Sequence, residues 1–414
     1  MKTLILSVFF SFTLLSAEVP VISAQLETDP IPMGKDTSDD VAIWTNTSKT
    51  LILGVSKNKE NDGGRGGVAL YDLMGKELLF LDIGRLNNID LRYGLPAFGR
   101  KLDIVAGSNR SLDKDGEFKG ISLFEIDGES EKLNHLGTFP LKNAQNKILE
   151  PYGLCMYKSK KSNRFYVFSA LNNGELYQHE VLEENSQINL IQRRIFNFTS
   201  IIDRATDAKL ADFVIQDVLG EYRTGEIDRT DLPDEISEEL GQRYQLEGCV
   251  ADDENGFLFV GMEKLGIFKI DLEGQDFIPH LMMETIHSKD SQNPEIFPLN
   301  TPRITDDVEG MAIFNGKNGG EYLIVSIQGI SEYALYDRKN EKYLGSFKLT
   351  LNEKDPITQT DGLDISAMPS GELFPEGIMV VHDHQNTNEN GEIQNANYKI
   401  VGLKEIFQTL SYGL

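Results

Sequence analysis

Two cysteines in 414 residues, Cys155 and Cys249, are too few for a disulfide-built scaffold or a cysteine-rich zinc site. Histidine is scarce at six, and tryptophan occurs once. Positive charge is the largest shortage: 40 Lys and Arg stand against 65 Asp and Glu, a net of −25. Nucleic acids and anionic membranes are gripped through clustered Lys and Arg, so neither is expected as a partner. A phosphate-rich substrate would need an attraction that the chain's own charge does not supply. No P-loop, no G-x-S-x-G and no H-E-x-x-H is present.

What is present starts with Met1-Lys2 and the apolar stretch LILSVFFSFTLLSA (4–17). This reads as a leader with a small-residue exit at Ile22-Ser23-Ala24, giving a signal peptide over 1–24 and a mature chain over 25–414. Losing Lys2 and Glu18 with it leaves the charge at −25. A membrane anchor is the alternative, but the run falls short of the ~20 residues that span a bilayer. No cysteine follows it for lipid attachment, and no later segment is apolar enough to insert. The expectation is an exported protein, periplasmic or extracellular, working as a monomer.

The mature chain repeats itself. VALYDLMGKEL (68–78), ISLFEIDGESEKL (121–133), GELYQHEVLEENSQINL (174–190), GIFKIDLEG (266–274) and YALYDRKNEKYLGSF (333–347) share one pattern of an aromatic strand and a polar hairpin. Four-stranded units of about 50 residues are the mark of a β-propeller. The count predicts an all-β, six-bladed β-propeller. NYKIVGLKEI (397–406) begins like an outer strand and DDVAIWTN (39–46) like an inner one, so the ring should close with segments from both chain ends. Residues 201–245 break the pattern. Leu210, Phe213, Val214 and Val218, then Ile236, Leu240 and Tyr244, carry helical spacing. They predict a small helical insertion between blades three and four, either a surface decoration or a lid over one channel mouth.

A recurring dipeptide carries the chemistry. Tyr152-Gly153, Glu247-Gly248, Glu309-Gly310 and Asp361-Gly362 each open an apolar run at the start of a unit, and the first unit adds Asp39 and Asp40. Equivalent positions in successive blades converge around the channel, and glycine permits the close backbone approach that a narrow ring needs. Gathered carboxylates repel one another by about 4 kcal/mol per pair at 4 Å and an effective dielectric near 20. Protonation relieves that, and so does a hard cation; oxygen-only ligands favour Ca²⁺. Each acid could instead merely cap a turn. Among lesser candidates, Asp113–Glu117 reads as a hairpin turn, and Trp44 with the two cysteines as core. His382 and His384 flank Asp383 as strand residues or a metal pair. Arg110 closes the strand LDIVAG as a salt bridge or an anion fork.

DDVAIW (39–44), GRLNNIDLRY (84–93), DIVAGSNRS (103–111), EPYGLCMY (150–157), LEGCVADDENG (246–256), TDDVEGMAIF (305–314), SIQGISEYALYDR (326–338) and TDGLDIS (360–366) together resemble the β-propeller phytases, from about residue 29 to 406. That resemblance implies hydrolysis of phytate, myo-inositol hexakisphosphate, or of its calcium complex, with several Ca²⁺ ions as cofactors. It implies a calcium cluster of Asp40, Glu247, Glu263, Asp307, Glu309, Asp355 and Asp361. It implies phosphate contacts at Arg110 and Tyr152, and a looser calcium stretch at Asp383 and Asn386. Gly64-Arg65 stand where the family has paired lysines, and Asn172-Asn173 where it has Lys-Glu. Glu247, Glu309, Asp361 and Arg110 would then be catalytic, with no covalent intermediate expected. Two other functions suit a metal-bearing propeller. A lactonase or phosphodiesterase needs the same carboxylates but not Arg110, and a non-catalytic binding propeller needs neither.

Overall fold

The computed structural model describes residues 19–31, 37–58, 66–225, 227–274, 277–284, 307–316, 319–388 and 390–412. Within them the strands form six sheets, the six blades of the expected propeller. The inner strands are Ser38–Thr45, Leu86–Ala97, Leu154–Lys158, Leu246–Asp252, Val308–Asn315 and Leu363–Ser366. Later strands of each blade step outward in chain order. Thr50–Ser56, the second strand of blade 1, is buried along its whole length, because neighbouring blades cover both of its faces. Glu77–Asp82, the outermost, keeps polar and partly exposed positions. The repeated hairpins of the sequence are the third and fourth strands, as 333–347 shows by falling on Glu332–Asp337 and Lys342–Asn352.

Apolar clusters lie between blades. Phe168 and Leu176 of blade 3 share one with Leu258, Val260 and Phe268 of blade 4. Fully burying a side chain of that size is worth about 1.5–3 kcal/mol, so the blades hold one another face to face. Cys155 and Cys249 of adjacent inner strands are joined by a disulfide across the same interface.

Both chain ends close the ring. Leu26–Glu27 pairs antiparallel with Asn397–Gly402 and supplies the outermost strand of blade 6. Just before it, Val21–Ser23 runs parallel to Lys348–Thr350 on the outside of blade 5. Lys348 N donates to the Pro20 carbonyl at 2.9 Å, and Ala24 N to that of Thr350 at 2.8 Å. Ile22 and Ala24 are buried there beside Phe347 and Leu349. A leader ending after Ala24 would leave the mature chain without this strand, whereas one ending before Pro20 would keep it.

The interruption is helical, as its spacing indicated. Helix α1 spans Arg204–Thr224; the Asp203 carboxylate caps it by accepting from Ala205 N and Thr206 N, and Gly225 ends it with a left-handed φ of 86°. Leu210, Val214 and Val218 are its buried face. Helix α2, Leu232–Gln242, buries no residue fully and returns the chain to blade 4. Arg243 binds back to Asp207 of α1 at 2.8 Å.

Candidate active site

The opening dipeptides meet at one end of the channel. A Cβ on Gly153 would lie 1.8 Å from the Glu247 carbonyl oxygen, and one on Gly248 1.9 Å from that of Glu309. Only glycine lets one blade press so closely on the next. Gly310 N donates to the Asp361 carbonyl and Gly362 N to that of Asp39, both at 3.1 Å. The residue before each glycine is thereby fixed at the channel rim. Tyr152, Glu247, Glu309, Asp361 and Asp39 line one cavity of about 520 Å³, joined by Glu263.

Carboxylate oxygens of Glu247, Glu263 and Glu309 lie within 4.8 Å of one another, and all three residues are buried. Burial pushes the Glu247 carboxyl well above its usual range, and the charges of Glu309 and Glu263 add to it. Glu309 is pushed the same way by burial, then by Glu263, Asp361 and Asp39. Asp39 rises to about 6, burial outweighing the pull of Lys57. Each close pair costs about 3–4 kcal/mol at an effective dielectric near 20. Every donor in this group is a hard oxygen, so the residues fit a divalent cation such as Ca²⁺ and not a thiophilic metal.

Cations stand on the same wall. Lys57 Nζ lies 3.1 Å from Asp39 and 3.7 Å from Asp361. Arg110 Nε meets Glu150 at 2.7 Å, its Nη1 donates to Asn87 Oδ1 at 3.0 Å, and its guanidinium carbon sits 4.4 Å from the centre of the Tyr152 ring. Arg110 is therefore both salt-bridged and turned into the cavity, where Arg85 joins it. The charge of Glu247, then burial, raises the Tyr152 hydroxyl pKa and keeps that group a neutral donor.

Other expected residues lie elsewhere. Asp40 points between blades, accepting from Val41 N at 2.9 Å and Ile89 N at 3.1 Å, and does not line this cavity. Asp307, with a left-handed φ of 61°, precedes the inner strand of blade 5 and does not line it either. Asp355, Asp383 and Asn386 form a separate group around Lys399, whose Nζ is 2.6, 3.3 and 3.0 Å from their oxygens. Glu27 approaches the same ammonium at 2.6 Å. His382 Nδ1 accepts from Asp361 N at 3.2 Å, which ties it to the ring, and its imidazole meets that of His384 edge-on with centroids 6.4 Å apart. Asp113 accepts from Asp115 N and Glu117 N in the expected turn. Arg65 lies outside the described residues.

Six wall residues escaped the sequence reading: Lys57, Asn58, Arg85, Asn87, Gln245 and Gln328. Asn87-Asn88 opens the inner strand of blade 2 where other blades carry acid-glycine, and a search for that dipeptide passes over it. Gln245 precedes Glu247 by two positions and donates to Tyr152 Oη at 3.1 Å and to Glu263 Oε1. Gln328 donates to Asp361 Oδ1 from the 3₁₀ turn after the second strand of blade 5.

Known proteins align along this whole frame. The chain is 31% identical over 394 residues to the 3-phytase of Bacillus subtilis (strain 168), covering 94% of this chain and 85% of that one. Among solved structures, a mutant α-L-arabinofuranosidase from Fusarium graminearum with an iminosugar inhibitor matches at a TM-score of 0.49 and 9% identity, over 93% of this chain and 98% of that one. That likeness is too distant to bear on activity. The family model described as Phytase covers residues 6–203 and 236–413, leaving out most of the helical insertion. The family model and the 31% identity over 94% of the chain lead to one conclusion: the chain belongs to the β-propeller phytase family.

Proposed function

We propose that the protein is a calcium-dependent phosphomonoester hydrolase that releases phosphate from phytate. One observation carries the reading: three buried carboxylates within 4.8 Å share a cavity with Lys57, Arg85 and Arg110. The similarity to a protein named 3-phytase supports it. Glu247, Glu263, Glu309, Asp361 and Asp39 would hold Ca²⁺. Bound calcium supplies the positive charge that the acidic chain lacks, both for phosphate oxygens and for lowering the pKa of a water. Arg110 presents a planar fork to phosphate oxygens, Lys57 and Arg85 add charge, and the Tyr152 hydroxyl donates. Arg65 would join them as a further phosphate contact.

Among the described residues that line the cavity there is no serine, cysteine or histidine. Water is therefore the nucleophile. It attacks phosphorus, the bond from phosphorus to the inositol oxygen breaks, a rim carboxylate takes the proton that the water loses, and the departing inositol oxygen takes a proton from solvent. Asp40, Asp307, Asp355, Asp383 and Asn386 act away from this step, in ring closure or in further cation binding. With its leader removed, the enzyme would work as an exported monomer on free phytate or its calcium complex. The test is phosphate release from phytate with added calcium and with excess chelator. Release should vanish in chelator and return with calcium. Full release in excess chelator overturns the reading.

A further inference from the structure

One side chain of the cavity wall serves two others. Gln245 lies two residues past Arg243, the C-cap of α2, and two before Glu247. Its main chain is fixed on both sides: its N–H donates to the Gln242 carbonyl at 2.7 Å, and its carbonyl accepts from Glu263 N at 3.1 Å. Its side chain lines the cavity, where Nε2 donates both to Glu263 Oε1 and to Tyr152 Oη, the latter at 3.1 Å. A carboxylate accepts, so the amide must turn its nitrogen toward Glu263. That nitrogen carries two hydrogens, and the second faces Tyr152, whose oxygen becomes the acceptor. The Tyr152 proton is left for an acceptor in the cavity. The Arg110 guanidinium packs 4.4 Å from the centre of the same ring, so phenol and fork reach the cavity together.

We infer that Gln245 is a positioning residue that couples cation binding to substrate binding, fixing Glu263 for the ion and aiming the Tyr152 hydroxyl at a substrate phosphate. This rests on the calcium reading of the same site. A hydrogen bond to one carboxylate oxygen limits how the group can turn and leaves the other oxygen for a cation. Gln328 does as much for Asp361. A donor to a phenol oxygen likewise decides where the phenol proton points, and a hydroxyl aimed at a phosphate oxygen makes a charge-assisted bond. Both bonds leave one nitrogen, so a change at either acceptor is felt at the other.

The experiment joins calcium titration calorimetry on the chelator-stripped full-length protein to steady-state kinetics on phytate in saturating calcium. Gln245→Met keeps the length of the side chain and removes both donors. It should bind calcium about tenfold more weakly. Its KM for phytate should rise about tenfold, with kcat within about threefold. Tyr152→Phe should raise KM alike and leave calcium affinity unchanged. The double variant should have a KM no higher than Tyr152→Phe alone while keeping the calcium loss, because Gln245 reaches substrate only through the hydroxyl. Gln245→Glu is the independent variant if Gln245→Met does not fold. Its carboxylate accepts the Tyr152 proton, so KM should rise again without loss of calcium affinity. KM effects that multiply in the double variant, unchanged calcium affinity in Gln245→Met, or an unchanged KM in Gln245→Glu overturn the coupling. A wild type that takes up no calcium overturns the calcium reading on which it rests.

Discussion

Both ends of the channel hold several carboxylates and treat them differently. At the end away from the acidic cluster, a cavity of about 380 Å³ includes Asp90, Asp253 and Asp364. Asp364 accepts from Ile43 N and Ile365 N, both at 2.7 Å. Asp90 accepts from Met156 N at 2.7 Å, and Asp253 from Lys158 N at 3.1 Å. Arg92 bridges two of them, with Nη1 2.9 Å from Asp90 and Nε 2.9 Å from Asp253. These carboxylates stitch neighbouring blades together and are spent on backbone donors. At the acidic cluster the backbone donors face carbonyl groups of the next blade, and Glu247, Glu263 and Glu309 are left facing one another. Burial alone does not make an acid a metal ligand; the donors around it decide.

The sharpest way to break this contrast is to neutralise one acid at each end. Glu309→Gln should lower phosphate release from phytate by about 10²-fold or more, with the fold intact by circular dichroism. Asp364→Asn should leave the rate within about twofold and lower the melting temperature. Comparable rate losses in both would show that the two ends do the same work.

A smaller effect tests the structural end by itself. Arg92→Met leaves Asp90 and Asp253 without their shared counter-charge, and losing hydrogen bonds to a charged group in this part-exposed setting costs about 1.5–3 kcal/mol. Urea unfolding should read that loss, while KM for phytate stays unchanged. A loss below about 1 kcal/mol would mean that the backbone donors suffice without Arg92.

The smallest effect, in pH, sharpens the comparison further. Asp39 is raised to about 6 and Asp364 to about 7, both chiefly by burial, and Glu247 and Glu309 are raised as well. A carboxyl whose pKa is higher folded than unfolded binds its proton better in the folded state, so stability falls as pH rises through that window. In chelator the melting temperature should therefore decline from about pH 4 to about pH 7. Saturating calcium should remove the part due to the acidic cluster and leave the part due to Asp364. A decline equally steep with and without calcium would place all of it at the structural end.

The propeller was legible in the sequence because each blade repeats the same hairpin, and the acidic rim because Glu247, Glu309 and Asp361 each precede a glycine at the same point of the repeat. Lys57, Arg85 and Gln328 were not, because they reach the cavity from strand ends and turns that obey no repeat. Asp40 was misplaced for a related reason. It stands where four blades carry glycine, and its carboxylate turns toward Ile89 N of blade 2. Asp355 and Asp383 match the family's calcium ligands in sequence, but nothing in the local pattern reveals that Lys399 lies among them. The disulfide was equally hidden. Ninety-four residues separate its cysteines, and only the adjacency of blades 3 and 4 brings them together.

The closing strand sets an order in time. Gln25 accepts through Oε1 from Gly402 N across 377 residues, and Lys348 N reaches back to Pro20. Contacts that far apart carry the largest loop-closure penalty in the chain and form last. Until they form, the third strand of blade 6 is an unpaired edge, open to association with any other strand. Residues 20–27 therefore stay unpaired until blades 5 and 6 have formed.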